Sequence, residues 1–219
     1  IMVLSIGLAL ADDYELSETN IVVDDKYERI CVTGKIKNTG TRAMDLSYNS
    51  KIFLLSDGEE VSSEGNVTIL PTQIEPEQEG YFSAIFYYDR LDDVDRAKTA
   101  DDIKADFYFD PPKKPNYIYK TEVAFEDMEL YGMTVPVVTA IVENDSEDIQ
   151  DNINVCFIWK DKEGKIYIEN PYTTRLGLYP GSKVRYYTTI DEYFVKNYNE
   201  RGFDVDITNV DVIAFSEAY

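Results

Sequence analysis

Carboxylates crowd the stretch ENDSEDIQD, residues 143–151, which offers Asp145, Glu147, Asp148 and Asp151 as candidate ligands. Oxygen ligands at this density suit calcium, a hard cation that takes several oxygens at once. The D-x-D-x-D-G spacing of an EF-hand loop is missing, and the competing reading is solvated charge on a loop. LDDVDRAKTADD, residues 91–102, stands under the same two readings. Carboxylates about 5–9 Å apart could also run glycosidase chemistry. With 42 acidic residues in the chain, chance alone supplies such pairs. No catalytic residue and no cofactor is assigned from them.

Other chemistries are closed by composition. The chain contains no His. That removes Ser–His and Cys–His nucleophile pairs, His-ligated zinc and the commonest general base. Two cysteines, Cys31 and Cys156, are too few for a disulfide-stapled scaffold and form no CxxC pair. They read as small buried apolar residues, not bonded to each other. The formal net charge of −21 repels phosphate backbones, which excludes nucleic acid and favours cationic partners or divalent cations.

Aromatic residues offer binding rather than catalysis. Tyr87-Tyr88 and Tyr186-Tyr187 fall in strand-like runs, so one of each pair should face a core and the other solvent. An exposed tyrosine row could stack on sugars or anchor a protein, although ordinary sheet contacts are the plainer reading. Asn66-Val67-Thr68 and Asn144-Asp145-Ser146 match the glycosylation sequon, a pattern that also arises by chance.

The elements that would position these residues follow from an internal likeness. VTGKIKNTG begins at Val32 and VTAIVENDS at Val138, 106 residues later. At the same displacement Asn38 meets Asn144, and Gly58 meets Gly164. Further on, Pro76 faces Pro180, now 104 residues apart, and IKADFYF at 103–109 faces VDVIAF at 210–215. A duplication of about 106 residues accounts for this spacing. Ile153, Val155, Phe157 and Trp159 alternate with Asn154, Cys156, Ile158 and Lys160, the period of a strand with one face turned inward. Met44, Leu46, Tyr48, Ile52 and Leu54 read as the matching strand, with parity slipped by one, a difference that a bulge or loop would absorb. Residues 81–88 and 183–190 read as aromatic, β-branched strands. Residues 89–102 suit a surface helix or loop, and 191–202 a helix with Asp191 as cap and Gly202 as stop.

DPPKKPN, residues 110–116, blocks a continuous strand and marks a boundary. Short strands with turns every 8–12 residues fit immunoglobulin-like sandwiches. The expected fold is all-β: two tandem immunoglobulin-like β-sandwich domains with short helical insertions, at 12–110 and 117–219, joined by a linker at 111–116. Residues 1–11, IMVLSIGLALA, read either as a signal-peptide or anchor remnant or as a strand.

TGKIKN (33–38), FIWKDKEGK (157–165) and LYPG (178–181) resemble the FxLYD-type bacterial domain family, whose pattern joins a G-x-(V/I)-x-N strand, alternating hydrophobics, a polar Gly-Lys turn and a Pro-Gly turn. The likeness spans most of both copies. It departs at Ser56, where Asp is expected, at Glu77 after Pro76, and at Ala140 in place of the first Gly. The resemblance implies an immunoglobulin-like sandwich in secreted or lipid-anchored bacterial proteins and carries no catalytic residue. The expectation is a non-catalytic module of the cell envelope or extracellular space that binds an unknown protein or glycan or acts as a spacer. A carboxylate-based extracellular hydrolase is the alternative. The folded part should not insert into a membrane.

Overall fold

The computed structural model describes residues 14–216, apart from 47, 48, 63, 64, 111–115, 169–171, 175, 176, 191 and 203. The first half of the chain runs through β1 (Tyr14–Asp24), β2 (Arg29–Asn38), β3 (Met44–Leu46), β4 (Lys51–Ser56), β5 (Glu59–Glu60), β6 (Gly65–Leu70), β7 (Gln73–Ile74), β8 (Glu79–Tyr87), the short helix α1 (Val94–Ala97), β9 (Asp102–Asp106) and β10 (Phe109–Asp110). The second half runs through β11 (Tyr117–Ile118), β12 (Lys120–Leu130), β13 (Met133–Glu143), β14 (Ile153–Asp161), β15 (Ile166–Ile168), β16 (Tyr172–Thr174), β17 (Lys183–Thr189), α2 (Glu192–Asn199) and β18 (Val205–Ser216). The protein is all-β, and pairing is antiparallel throughout the described residues.

Among the described residues, strands of the first half pair with each other and strands of the second half do likewise. The first half forms a seven-stranded sheet in the order β1-β2-β8-β6-β4-β5, with β9 on β4, and a three-stranded sheet β10-β3-β7. The second half forms a five-stranded sheet β11-β18-β14-β15, with β16 on β14, and a three-stranded sheet β12-β13-β17. The alternation of side chains explains the cores. Ile30, Val32, Ile36, Phe82, Ala84 and Phe86 meet Ile52, Leu54, Met44 and Ile74 in one. Val138, Ala140 and Val142 meet Ile153, Val155, Phe157, Trp159 and Ala214 in the other.

Strand register carries the displacements seen in the sequence. Thr33 lies opposite Ser83 in the first half, and Thr139 opposite Tyr187 in the second, 106 and 104 residues on. The core-facing positions of the central strands are Ile52 and Leu54 against Phe157 and Trp159, even against odd. The one-residue slip therefore falls in the loops between β2 and β4 and between β13 and β14. Gly58 and Gly164 close the two following turns at φ 78 and 87, a region that glycine enters without strain.

The matched asparagines repeat a whole hydrogen-bond set. Asn38 Nδ2 donates to the carbonyls of Arg42 (2.8 Å) and Ile74 (2.9 Å), while Oδ1 accepts from Gly40 N. Asn144 Nδ2 donates to Asp148 (2.8 Å) and Leu178 (2.7 Å), while Oδ1 accepts from Ser146 N. Both side chains are fully buried. Asn144 is thus structural, and its sequon offers no free amide. Replacing either Asn by Ala leaves two carbonyls and one amide without these partners. The expected loss is about 3 kcal/mol per site in urea unfolding. A change below about 0.5 kcal/mol at either site would mean that these bonds do not hold the loop.

One expectation is corrected. The run from Met44 to Leu54 is two strands, not one: β3 pairs with β7 and β10, and β4 with β5, β6 and β9. Both nevertheless contribute to the same core. The segment 89–102 is a surface helix within a loop, as expected: α1 makes one turn, capped where the Asp93 side chain accepts from Arg96 N. Residues 1–11, the prolines of the linker and the proposed cap Asp191 lie outside the described residues.

Candidate functional site

The acidic loop is organised from within by Asn144, and its carboxylates stay outside. Asp145, Glu147, Asp148 and Asp151 are all exposed. The Asp145 carboxylate accepts a hydrogen bond from the Tyr117 hydroxyl, and Asp145 N donates back to that oxygen at 3.0 Å. Asp148 contributes its backbone carbonyl to Asn144 and Ser146. Among the described residues no group of three acidic, His or Cys side chains could hold a metal ion. The reason is local: the groups this loop turns inward are carbonyls, already engaged by asparagine. In the second acidic run, Asp93 caps α1, and the Asp102 side chain accepts from Ile103 N.

Tyr186-Tyr187 divide by the alternation of β17, whereas Tyr87 ends β8 and Tyr88 lies past the strand, in a 3-10 turn. Tyr186 packs on the second core and Tyr187 is exposed. Tyr88 leans on the first core and donates to Asp25 at 2.8 Å, leaving Tyr87 exposed.

A larger assembly of polar and aromatic groups lies where the two halves meet. Cys156 and Ile158 stand on the face of β14 turned away from their own core. Both are buried, with Ile166 and Phe215, against Leu70 and Tyr81 of the first half. Thr33 Oγ1 donates to the Ile166 carbonyl at 2.7 Å, and the Tyr81 hydroxyl donates to Asp211 at 2.7 Å. Burial and that hydrogen bond push the Tyr81 phenol up. Burial works the other way on Asp211, but the bonds from Tyr81 and Lys160 outweigh it and hold its carboxyl below the usual range.

At one end of this interface, Asp24 Oδ2 accepts from Arg29 Nε at 3.0 Å and from Arg201 Nε at 2.9 Å. The Arg201 guanidinium lies over the rings of Tyr27, Tyr167 and Tyr198, at 5.2, 5.1 and 5.0 Å. Helix α2 delivers these groups by its spacing. The Phe194 and Trp159 ring centroids lie 4.9 Å apart, Tyr198 leans on Tyr167 with tilted rings 4.3 Å between centroids, and Arg201 follows one turn later.

The opposite face of α2 borders open space. Glu192, Val195, Lys196, Asn199 and Glu200, with Thr134–Pro136 and Ile190, line a groove of ≈ 960 Å³. The strand side of the groove leads directly to the β12–β13 hairpin tip. There Tyr131 and Gly132 hold φ 53 and 77, the left-handed pair of a tight two-residue hairpin turn. Tyr131 is 99% exposed, Met133 61%, and Tyr193 on α2 78%.

Compared with known proteins, the chain matches no family model and no curated protein.

Sequence reasoning missed both the interface and the groove. Arg201 sat in NERG as part of a helix stop, and nothing in its neighbours announced a buried guanidinium. The hairpin was more accessible: Tyr131-Gly132 is a turn pair between two alternating runs.

Proposed function

We propose that the protein is a non-catalytic, secreted or cell-surface pair of tandem immunoglobulin-like sandwiches of the FxLYD type, which holds a protein or glycan partner against its second half. Tyr131 carries the reading. An L residue in the left-handed region is strained by about 1–2 kcal/mol. A ring that is 99% exposed returns nothing to the fold. Strain of this kind at a loop tip points to use by a partner. Met133, Tyr193 and the adjoining groove extend the apolar surface. The repeated asparagine set and the repeated register support the tandem arrangement. The resemblance of residues 33–38, 157–165 and 178–181 to the FxLYD-type family supports the location.

The test uses an array of glycans and extracellular protein domains, probed with wild type and with Tyr131→Asn/Met133→Ala/Tyr193→Ala. Asn tolerates the left-handed turn position, so the melting temperature should hold or rise slightly. A partner bound by wild type should bind the variant at least about tenfold more weakly, as expected when anchoring aromatics are removed. Turnover of a glycoside or ester, abolished by changing a carboxylate to its amide, would contradict the proposal and favour the hydrolase.

A further inference from the structure

We propose that β12 is a docking edge for an extended strand in which apolar and cationic residues alternate. This surface is separate from the groove beside α2 and stands whether or not the groove binds anything. Among the described residues strand β12 ends its sheet, and its ladder with β13 runs unbroken from Lys120↔Glu143 to Leu130↔Met133. The matching edge, β1, is blunted: its register shifts between Ser17 and Asn20, and Glu18 there holds φ 49. A bulge of that kind protects an edge from further pairing. Strand β12 has none.

Its free main-chain groups can be identified. Ile190 N donates to the Pro136 carbonyl at 3.0 Å, so Pro136 turns its carbonyl toward the β17 side of β13. Asp127 lies opposite Pro136, and in an antiparallel ladder the backbone groups of Asp127 then face away from β13. Phe125 and Val123 follow by period two.

The two faces of the edge dictate the occupant. Val123 and Phe125 lie opposite the core residues Ala140 and Val138, on the inner face, yet are 39% and 47% exposed. An added strand would cover them with apolar side chains. The other face carries Glu122 and Glu126; Glu126 already pairs with Arg185 and accepts from Thr139, so Glu122 is the acid that an added strand would meet first. Over its length β12 holds four acids, Glu122, Glu126, Asp127 and Glu129, against one lysine, Lys120. Cationic side chains opposite these acids are favoured, and like charges are not. A second copy of the chain would bring −21 against −21 and is disfavoured on the same ground.

The probe is a capped heptapeptide alternating lysine with valine, and its control is the same peptide N-methylated at every valine. Calorimetric titration of the full chain should give saturable binding of the first peptide and at least about tenfold weaker binding of the second, because N-methylation removes the pairing amides. Val123→Pro should reproduce that loss, since an edge position tolerates proline in the fold. Glu122→Lys should weaken binding severalfold. Equal binding of both peptides would reduce the effect to net charge and overturn the proposal, as would no binding of either. A concentration-dependent dimer that Val123→Pro abolishes would also overturn it, in favour of a second copy.

Discussion

Replacing Asp24 by Ala is expected to destabilise the protein by about 3–5 kcal/mol, the range for a buried ion pair that loses one partner. Asp24 is fully buried, and its Oδ2 is the shared acceptor of Arg29 and Arg201. The Arg201 side chain is 5% exposed. Without the carboxylate, that guanidinium stays out of water beside three tyrosine rings and the Tyr167 hydroxyl, none of which carries a balancing charge. Removing the charge as well should undo most of the damage, so Asp24→Ala/Arg201→Met should lie well above Asp24→Ala in stability. A double-mutant cycle in urea separates the pair from its parts. A loss below about 1 kcal/mol for Asp24→Ala would put this pair with ordinary surface salt bridges and deny it a part in joining the halves.

The contrast between Asp24 and Asn38 explains what the sequence could disclose. Asn38 and Asn144 work through bonds to residues within about forty positions of themselves, and the same local spacing is written twice. Repetition made them visible, and the shifts of 106 and 104 reappear in the strand register. Asp24 and Arg201 are 177 positions apart and occur once each. Neither pattern nor period links them; only the way two finished halves meet does so. The alternation in β14 shows the same division. It was correct that Ile153, Val155, Phe157 and Trp159 share a face. It could not say that Cys156 and Ile158 would be covered as well, because their cover is supplied by Leu70 and Tyr81. Among the described residues the acidic loop brings no three carboxylates together, for a related reason. Carboxylate density is legible in a sequence, but convergence is not, and here the inward positions belong to Asn144 and backbone carbonyls.

Cys156 reports on that meeting of halves more directly than any other residue. Its own half leaves it on an outward face of β14, and its burial depends on the first half. The measurement is alkylation of the native protein by iodoacetamide, with the rate at Cys156 read by peptide mass spectrometry and compared with the rate in denaturant. If the halves form one body, Cys156 reacts only after they separate. Its labelling should then be at least about a hundredfold slower than in denaturant, the factor set by an opening free energy of about 2.8 kcal/mol. Asp24→Ala should shorten that protection while leaving the thiol chemistry unchanged. Rapid labelling of Cys156 in the native wild-type protein, close to the denatured rate, would contradict the account: the two halves would then be separate bodies, with the outer face of β14 open to solvent.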